Sequence, residues 1–340
     1  MNIPNFFKAG ILFSIVAVFI SGCGGSGTGQ SGVSANAQGY TDNAWTTITP
    51  INGARAGMSS CSYQDNIYIF GGTDFHTTVE MLDIATNTWY TRTPLTTPRR
   101  YGSACAVIQD KIYVIGGYKD LSSTNLYLNN VEVYSPDSDS WSTASPMNLA
   151  RANHSSAVVN GKIYVFGGRN QDLHISQSDV VEEYNPATDT WTIVSTMPIA
   201  HHSMAITELN DKIYLFGGYN SAGASNLVYE YTPQNNSWDM KAFMPTARSG
   251  LTASIIKGKI YVAGGSVGGM DSMKTLEIYN PVSDSWQAGN DMPTAREYHV
   301  ANTYNNKIYM IAGRTTVAYD GDIASVEVYD PAKDGNQDEQ

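Results

Sequence analysis

The segment that decides the fold runs from Arg151 to Trp191. It reads RANHSSAVVNGKIYVFGG over residues 151–168 and, after a polar loop, VEEYNPATDTW over residues 181–191. The two alternating runs joined by Asn160-Gly161 predict a β-hairpin, because this dipeptide suits a tight two-residue turn. The run at 181–185 and the one around Trp191 predict two further strands. Such a four-stranded sheet cannot bury both of its faces alone, so it needs neighbours of its own kind.

The same block occurs six times along the chain. An arginine or histidine lies 16 residues before a pair of small residues, in five copies Gly-Gly, and it is found at Arg55, Arg100, Arg151, His201, Arg248 and Arg296. A glutamate position follows, filled by Glu80, Glu132, Glu182, Tyr229, Glu277 and Glu327. Nine residues further, the first five copies carry Trp89, Trp141, Trp191, Trp238 and Trp286. The sixth copy lacks this tryptophan, and Trp45 precedes the first copy, so we predict that the strand around Trp45 completes the sheet begun by residues 296–331.

These repeated elements resemble the kelch repeat: Arg, then Ile-Tyr-x-x-Gly-Gly, then Val-Glu-x-Tyr-x-Pro, then Trp. The resemblance covers residues 40–331 and implies an all-β fold, a six-bladed kelch β-propeller whose last blade is closed by the N-terminal strand. It does not imply one activity, since kelch propellers serve as binding platforms and, less often, as enzymes.

Composition and motifs limit the function. The 340-residue chain has 20 Lys and Arg against 31 Asp and Glu, a net charge of −11, which argues against a nucleic-acid partner, whose phosphates require a basic face. We find no zinc-type spacing, phosphate loop, serine elbow or galactose oxidase-type copper signature, and we predict no metal and no cofactor. His154 and His299 share a register but belong to opposite blades, and Asp320-Gly321-Asp322 is too poor in ligands for a calcium loop.

The N-terminal residues indicate export. Residues 1–22 match a signal peptide, with Lys8 ahead of an apolar run too short to span a bilayer. The run ends Ile20-Ser21-Gly22-Cys23, which resembles the bacterial lipobox, so Cys23 is the predicted lipidation site; an ordinary cleaved signal stays the alternative. Residues 23–39 predict a lipidated flexible tether, residues 40–331 the propeller, and residues 332–340 a disordered acidic tail. We therefore expect a protein of the bacterial cell envelope, lipid-anchored to a membrane and either periplasmic or surface-exposed.

The other two cysteines lie in the first strands of neighbouring sheets. Cys61 and Cys105 differ by one register position, and adjacent positions on a strand point to opposite faces. This register predicts two small core residues and no disulfide.

One end of the ring is the candidate binding face. The interval from the second small residue to the glutamate position varies from 8 to 15 residues, whereas the other intervals are fixed. This variable loop and the repeat arginine lie at the same end of an up-and-down sheet, which we call the loop rim. Irregular loops on a rigid frame are where binding residues usually occur.

Cations and polar side chains are concentrated on this rim. The candidate ligand-binding residues are Arg55, Arg99, Arg100, Arg151, His201, Arg248 and Arg296. The variable loops add Lys119, Tyr127, Arg169, Gln171, Asp172, His174, Tyr219, Asn220, Arg314, Tyr319 and Asp320. The arginines suit a carboxylate; alternatively, each pairs with the repeat glutamate as part of the framework. Arg99 replaces the alanine that precedes the repeat cation in the other copies, which makes it the better functional candidate.

The leading functional hypothesis is an envelope-anchored binding module for a protein or a glycan, with an anionic ligand favoured and the membrane contacted through the lipid alone. The alternative is a carbohydrate-active enzyme, because the layout resembles the envelope-located kelch N-acetylneuraminate epimerase, a sugar mutarotase. Such an enzyme needs an acid–base pair and an anion-binding arginine. Glu297 is the one carboxylate directly beside a repeat arginine, so a deep axial pocket containing it would favour the enzyme, and a shallow rim would favour binding alone.

Overall fold

A computed structural model of the chain describes residues 44–119, 127–170, 177–268, 272–316 and 321–334. The predicted signal segment, Cys23 and the tether lie outside the described residues, as do residues 335–340. Within the described ranges, no helix has the length and apolar character needed to cross a membrane.

The described residues form six four-stranded antiparallel sheets and one small hairpin. The chain begins with β1 (Trp45–Ile48). Blades 1 and 2 contain β2 (Ser59–Tyr63), β3 (Asn66–Phe70), β4 (Val79–Asp83), β5 (Thr88–Arg92), β6 (Ala104–Ile108), β7 (Lys111–Tyr118), β8 (Tyr127–Ser135) and β9 (Ser140–Ala144). Blades 3 and 4 contain β10 (Ser155–Val159), β11 (Lys162–Phe166), β12 (Val180–Asn185), β13 (Thr190–Thr196), β14 (Ala205–Leu209), β15 (Lys212–Phe216), the hairpin strands β16 (Tyr219–Asn220) and β17 (Gly223–Ala224), β18 (Val228–Thr232) and β19 (Ser237–Met240). Blades 5 and 6 contain β20 (Thr252–Ile256), β21 (Lys259–Ala263), β22 (Leu276–Asn280), β23 (Ser285–Ala288), β24 (Val300–Tyr304), β25 (Lys307–Ile311) and β26 (Val326–Tyr329). Two 3-10 turns, Pro136–Ser138 and Pro331–Lys333, complete the described elements.

The predicted hairpins and the ring closure are both confirmed. Asn160 and Gly161 have φ values of 50° and 72°, the left-handed pair that a type I′ turn requires. β1 pairs antiparallel with β26, with Trp45 opposite Tyr329, so the N-terminal strand completes blade 6. The innermost strands β2, β6, β10, β14, β20 and β24 neighbour one another in a closed circle. The fold is therefore a six-bladed β-propeller.

The hydrophobic core lies between successive blades. Tyr68 and Phe70 of blade 1, for example, pack with Val114 and Tyr134 of blade 2. The outer-strand tryptophans lock these interfaces, because each indole N–H donates to the preceding blade. The acceptors are Thr49 O for Trp89, Thr93 O for Trp141, Ser145 O for Trp191, Ser195 Oγ for Trp238, Ala242 O for Trp286 and Asn290 O for Trp45. The predicted role of the tryptophans in blade packing is confirmed.

A second device, which we call the tyrosine clasp, recurs in blades 2 to 6. A third-strand tyrosine donates its hydroxyl to an Asp or Asn five residues later, as in Tyr184–Asp189 (2.7 Å). The other four pairs are Tyr134–Asp139, Tyr231–Asn236, Tyr279–Asp284 and Tyr329–Asp334. Blade 1 carries Leu82 and Asn87 at these positions. The interface between blades 6 and 1, which closes the ring, therefore has no clasp. A cavity of about 210 Å³ lies at this interface.

The expectation about the cysteines was wrong, because Cys61 and Cys105 form a disulfide with a Cα–Cα distance of 5.9 Å. Both belong to the interface between blades 1 and 2. Successive blades meet through opposite faces. A one-position offset turns the two side chains toward opposite faces of their own sheets, and this is the arrangement that makes them face each other.

Removal of this disulfide should lower the free energy of unfolding by about 2–4 kcal/mol, since it closes a loop across a sequence separation of 44. Denaturant unfolding of the Cys61→Ser/Cys105→Ser variant measures the effect. The wild type treated with a thiol reductant should shift to match the variant, and the variant should not respond to the reductant. Equal stability of the oxidised wild type and the variant would contradict the prediction.

The tail prediction needs a correction over its first residues. Pro331–Lys333 forms a 3-10 turn, and Asp334 is buried, accepting hydrogen bonds from Tyr329 Oη and from Asn290 Nδ2 (2.8 Å). Residues 332–334 are thus part of the last tyrosine clasp.

Candidate site at the axis of the loop rim

Five of the predicted rim arginines are interior framework residues. Each is at most 1% exposed and forms an ion pair with the repeat glutamate of its own blade. The pairs are Arg55–Glu80, Arg99–Glu132, Arg151–Glu182, Arg248–Glu277 and Arg296–Glu327. The structure thus shows the framework alternative, and their burial does not fit a ligand-binding role on the rim.

Blade 2 requires a correction of register. Its framework arginine is Arg99, which donates to Gly116 O and contacts Glu132 Oε2 at 2.7 Å. Arg100 is the additional residue, because blade 2 has one more residue than the other blades between this arginine and the glycine pair. The functional candidate of this pair is therefore Arg100 and not Arg99.

The framework pairs also fix the connections between blades. Glu132 Oε1 accepts from the Thr96 N–H at 2.8 Å, and Glu182 Oε2 accepts from the Asn148 N–H at 2.7 Å. Thr96 and Asn148 lie on the segments that enter these blades from the preceding blade. Each buried carboxylate thus satisfies both a guanidinium and an otherwise unpaired loop amide.

Blade 4 replaces both members of the pair. His201 is 2% exposed; its Nδ1 lies 3.0 Å from Ile199 O and its Nε2 lies 2.9 Å from Asn220 Nδ2. The partner position holds Tyr229, which is also buried. Burial lowers the pKa of His201, so an uncharged His–Tyr combination takes the place of an ion pair.

A closed ring of backbone hydrogen bonds surrounds the axis. It links one residue per blade in blade order, each N–H donating to the carbonyl of the preceding blade at 2.8–2.9 Å. The members are Gly57, Gly102, Asn153, Ser203, Gly250 and Tyr298, all with positive φ. We call this the axial ring. It narrows the axis beneath the loop rim.

Between the axial ring and the loop rim, each blade contributes one pair of residues. One member precedes the ring residue and the other follows the second residue of the glycine-pair position, and the two are joined by backbone hydrogen bonds. These axial pairs are Ala56/Thr73, Tyr101/Tyr118, Ala152/Arg169, His202/Tyr219, Ser249/Ser266 and Glu297/Arg314. They differ in chemistry from blade to blade, unlike the framework pairs below them.

Two adjoining cavities open among the axial pairs. The first, about 460 Å³, is lined by Arg100, Tyr101, Tyr118, Tyr127, Ala152, Asn153, Arg169, Tyr298 and Arg314. We call it the arginine lobe. The second, about 360 Å³, is lined by Arg169, Gln177, His202, Tyr219, Ser249, Ser266, Gly268, Glu297, Tyr298 and Arg314. We call it the glutamate lobe. The lobes share Arg169, Tyr298 and Arg314, and each falls within the volume range typical of small-molecule sites.

The arginine lobe combines cations with aromatic rings. The guanidinium carbons of Arg100 and Arg314 each lie 5.9 Å from the centroid of the Tyr101 ring. Arg314 Nη2 donates to Tyr101 Oη at 2.7 Å, and Arg314 Nε donates to Asp322 Oδ1 at 2.6 Å. Burial lowers the pKa of Arg314, but Asp322 and Tyr101 more than offset this and leave it raised. Arg314 is therefore fixed in position by Asp322 and Tyr101 and carries a full positive charge.

The glutamate lobe contains a buried carboxyl group. Glu297 is 5% exposed and accepts a hydrogen bond from Ser266 Oγ. Burial raises its pKa, and the opposing effects of Ser266 and Arg314 do not cancel this. Nearby, burial lowers the pKa of His202 to about 4. At neutral pH the lobe thus presents an uncharged imidazole beside a carboxyl group that retains its proton to higher pH than an exposed glutamate.

The loop residues predicted from sequence divide into three groups. Tyr127, Arg169, Tyr219 and Arg314 line the two lobes, whereas Lys119 and Asn220 are described but do not. Gln171, Asp172, His174, Tyr319 and Asp320 lie outside the described residues. Tyr101, His202 and Tyr298 were missed, although the positions after the repeat cation and the glycine pair vary from copy to copy and could have identified most of this site.

No group of three or more metal-ligating side chains is found among the residues that the structure describes. His154 and His299 are buried in different blade interfaces, where His154 packs on Gly116 and His299 Nε2 lies 2.9 Å from Thr252 Oγ1.

Fold and repeat together define a kelch-repeat β-propeller protein. The family model described as the Attractin/LZTR1 beta-propeller matches residues 24–200 and 77–318, and the chain belongs to this family.

Individual relatives agree with this assignment. Kelch-like protein 36 of Rattus norvegicus is 31% identical over 173 residues, which are 48% of this chain and 27% of that protein. Kelch domain-containing protein 3 of Homo sapiens is 30% identical over 139 residues, 36% of each chain. The solved structure of YjhT has a TM-score of 0.72 at 20% identity, covering 83% of this chain and 95% of that one. The chain matches only about a third or less of those curated relatives' length, and the likeness to YjhT concerns the fold.

Proposed function

We propose that this propeller binds an anionic carbohydrate in the axial pocket of its loop rim. The observation that carries the proposal is the joint lining of the arginine lobe by Arg100, Arg169 and Arg314 together with tyrosine rings. Guanidinium groups bind carboxylates through charge-assisted hydrogen bonds, and tyrosines offer both flat apolar surfaces and hydroxyls. The net charge of −11 repels an anion at long range, so binding of an anion depends on these local guanidinium groups.

Titration calorimetry with glucuronate, N-acetylneuraminate and glucose tests this function. The two acids should bind and glucose should not. Arg100→Gln and Arg169→Gln should each weaken binding of the acids by about 10- to 100-fold, the equivalent of one charge-assisted hydrogen bond. Lys162→Gln, which removes a cation that pairs with Glu183 away from these lobes, is the matched control and should bind as the wild type does. Equal binding by all four proteins would reject the site.

A second candidate function is acid–base conversion of the bound sugar, as in a sugar mutarotase. Glu297 favours it, because a buried carboxyl group with a raised pKa can donate a proton and the neutral His202 in the same lobe can accept one. Anomer interconversion of N-acetylneuraminate, followed by NMR, would be faster with the wild type than without protein and would lose this acceleration in Glu297→Gln. No acceleration by the wild type would leave binding as the function.

The ionisation of Glu297 should make stability depend on pH. Because its folded-state pKa is raised, the protonated form favours the folded state, and this contribution is lost as the pH rises through that pKa. The melting temperature of the wild type should therefore fall relative to Glu297→Gln from about pH 4.5 upward. The same titration places a negative charge in the site, so affinity for an acid should fall more steeply with pH in the wild type than in the variant. Parallel pH profiles for the two proteins would contradict the raised pKa.

We further propose that the propeller acts at the bacterial cell envelope, held there by lipidated Cys23. The Cys61–Cys105 disulfide supports an exported location, since disulfides persist in oxidising compartments. Cys23→Ser should release the protein from the membrane fraction or leave the precursor unprocessed. Wild-type processing and fractionation of this variant would reject the lipid anchor and favour an ordinary cleaved signal.

A further inference from the structure

The two lobes of the axial pocket differ in the ligand chemistry that they can accept. All three charged groups on the wall of the arginine lobe are guanidinium groups, two of them shared with the neighbouring lobe. The glutamate lobe adds hydroxyl, amide and imidazole groups from Gln177, His202, Tyr219, Ser249 and Ser266. Its acidic residue, Glu297, is held by Ser266. One lobe therefore suits an acid, and the other suits an uncharged, hydroxyl-rich group.

The shared wall makes the lobes parts of one site. Arg169, Tyr298 and Arg314 line both cavities, so one ligand can contact both lobes at once. Tyr298 belongs to the axial ring and has a φ of 49°. Its backbone is thus fixed at the floor between the lobes, where its ring can contact both halves of a bound molecule.

Size indicates that the ligand is larger than one sugar. The arginine lobe, at about 460 Å³, and the glutamate lobe, at about 360 Å³, each fall in the range of a complete small-molecule site. The aromatic groups are unevenly placed, since Tyr101, Tyr118 and Tyr127 all line the arginine lobe. Tyr118 and Tyr127 meet edge to face with their centroids 5.4 Å apart.

We propose that the site takes an acidic oligosaccharide of at least two units, with the acidic sugar in the arginine lobe and a neutral sugar in the glutamate lobe. This inference rests on the proposed binding of an anionic carbohydrate and adds the number, order and charge of the units. Arg169 and Arg314 contact the acidic unit, and Ser249, Ser266 and Gln177 bind the hydroxyls of the neutral one. A free acidic monosaccharide fills only half of the site.

Two matched ligand pairs test the arrangement by calorimetry: N-acetylneuraminate against the disaccharide N-acetylneuraminyl-galactose, and glucuronate against an aldobiouronic acid in which glucuronate is joined to a neutral sugar. At least one two-unit acid should bind 10-fold or more tightly than its monosaccharide. Galactose, which has no acid, should bind at least 10-fold more weakly than N-acetylneuraminyl-galactose.

Variants of residues in each lobe test which unit of the ligand that lobe binds. Ser249→Phe, which fills the glutamate lobe, should reduce binding of the two-unit acid at least 10-fold more than it reduces binding of the monosaccharide. Gln177→Ala, a milder change that keeps the proposal testable if the first variant folds poorly, should act in the same direction. Arg100→Gln should weaken both ligands of a pair by the same factor.

The outcomes separate the two proposals. If no acid binds, the proposed function fails. If acids bind but each monosaccharide binds as tightly as its two-unit partner, or if glutamate-lobe variants weaken monosaccharide and two-unit acid equally, the proposed function stands and the two-unit arrangement is overturned.

Discussion

Replacing Arg99 by alanine should lower the free energy of unfolding by about 3–5 kcal/mol, because it leaves Glu132 as an uncompensated charge in the interior. Glu132 is 1% exposed, and its carboxylate also accepts hydrogen bonds from the segment that enters blade 2. Urea unfolding should detect this loss directly, and the melting temperature should fall by on the order of 10 °C.

The neighbouring residue supplies the matched control. Arg100→Ala removes the same side chain one position later, where it lies over the Tyr101 ring at the pocket and is partly exposed. It should change stability by less than about 1 kcal/mol and weaken binding of an acidic ligand. Comparable stability losses in Arg99→Ala and Arg100→Ala would contradict the register assigned to blade 2.

Blade 4 provides a second control for the buried pair. Copying its uncharged combination into blade 2, as Arg99→His/Glu132→Tyr, removes both charges together, as in His201 and Tyr229. The double variant should recover part of the stability lost in Arg99→Ala, since no buried charge then lacks a partner. A double variant less stable than the single one would show that the ion pair does more than balance charge.

The fold could be predicted from the sequence because the repeat is a periodic signal read six times. Each blade must bury both faces against similar blades, so the same residues recur at the same positions. The lone Trp45 then followed from counting, since the sixth copy lacked its tryptophan. The sequence also indicates that the framework arginines pair with the repeat glutamates. In blade 4 both positions change together, with His201 in place of the arginine and Tyr229 in place of the glutamate.

The register errors came from features that a repeat does not specify. Counting back 16 residues from Gly116 selects Arg100, but the chain of blade 2 contains one extra residue, and only the contacts of Arg99 reveal it. The sequence pattern predicted no disulfide because adjacent positions on a strand point to opposite faces, which is true within a single sheet. Cys61 and Cys105 do occupy opposite faces of their sheets, but the interface between blades joins opposite faces.

The candidate pocket lies on the rim predicted from the sequence, but its lining comes mainly from the axial pairs and not from the repeat arginines. The repeat arginine is constant because it serves the framework of every blade, whereas the axial pairs vary because each blade contributes different chemistry to one pocket. Glu297 is a sequence-identified candidate that the structure does place in this pocket, next to Arg296 in the chain and opposite Arg314 across the axial pair. The raised pKa of Glu297 depends on its burial, a property of the folded ring that no local motif indicates.

The stability of the propeller should be most sensitive to loss of β1, the strand that closes the ring. Deletion through Pro50 removes β1, and with it Trp45, which packs on Tyr329 with ring centroids 4.9 Å apart and donates to Asn290 O at 2.9 Å. It also removes Thr49 O, the acceptor of the Trp89 indole. Loss of a buried tryptophan alone costs about 3–5 kcal/mol, and here β26 also loses its hydrogen-bonded neighbour. Thr49 lies at the interface between blades 6 and 1, where Leu82 occupies the position of the clasp tyrosine, so that interface has no second lock to compensate.

The expected result is a loss of more than about 5 kcal/mol in the free energy of unfolding, with exposure of an unpaired edge strand and a tendency to self-associate. Deletion through Asn43 is the matched control, because it also removes Cys23 and the tether but retains every residue of β1. That shorter deletion should unfold at the same urea concentration as the chain starting at residue 24. If both deletions unfold at the same concentration, β1 does not close the propeller in solution.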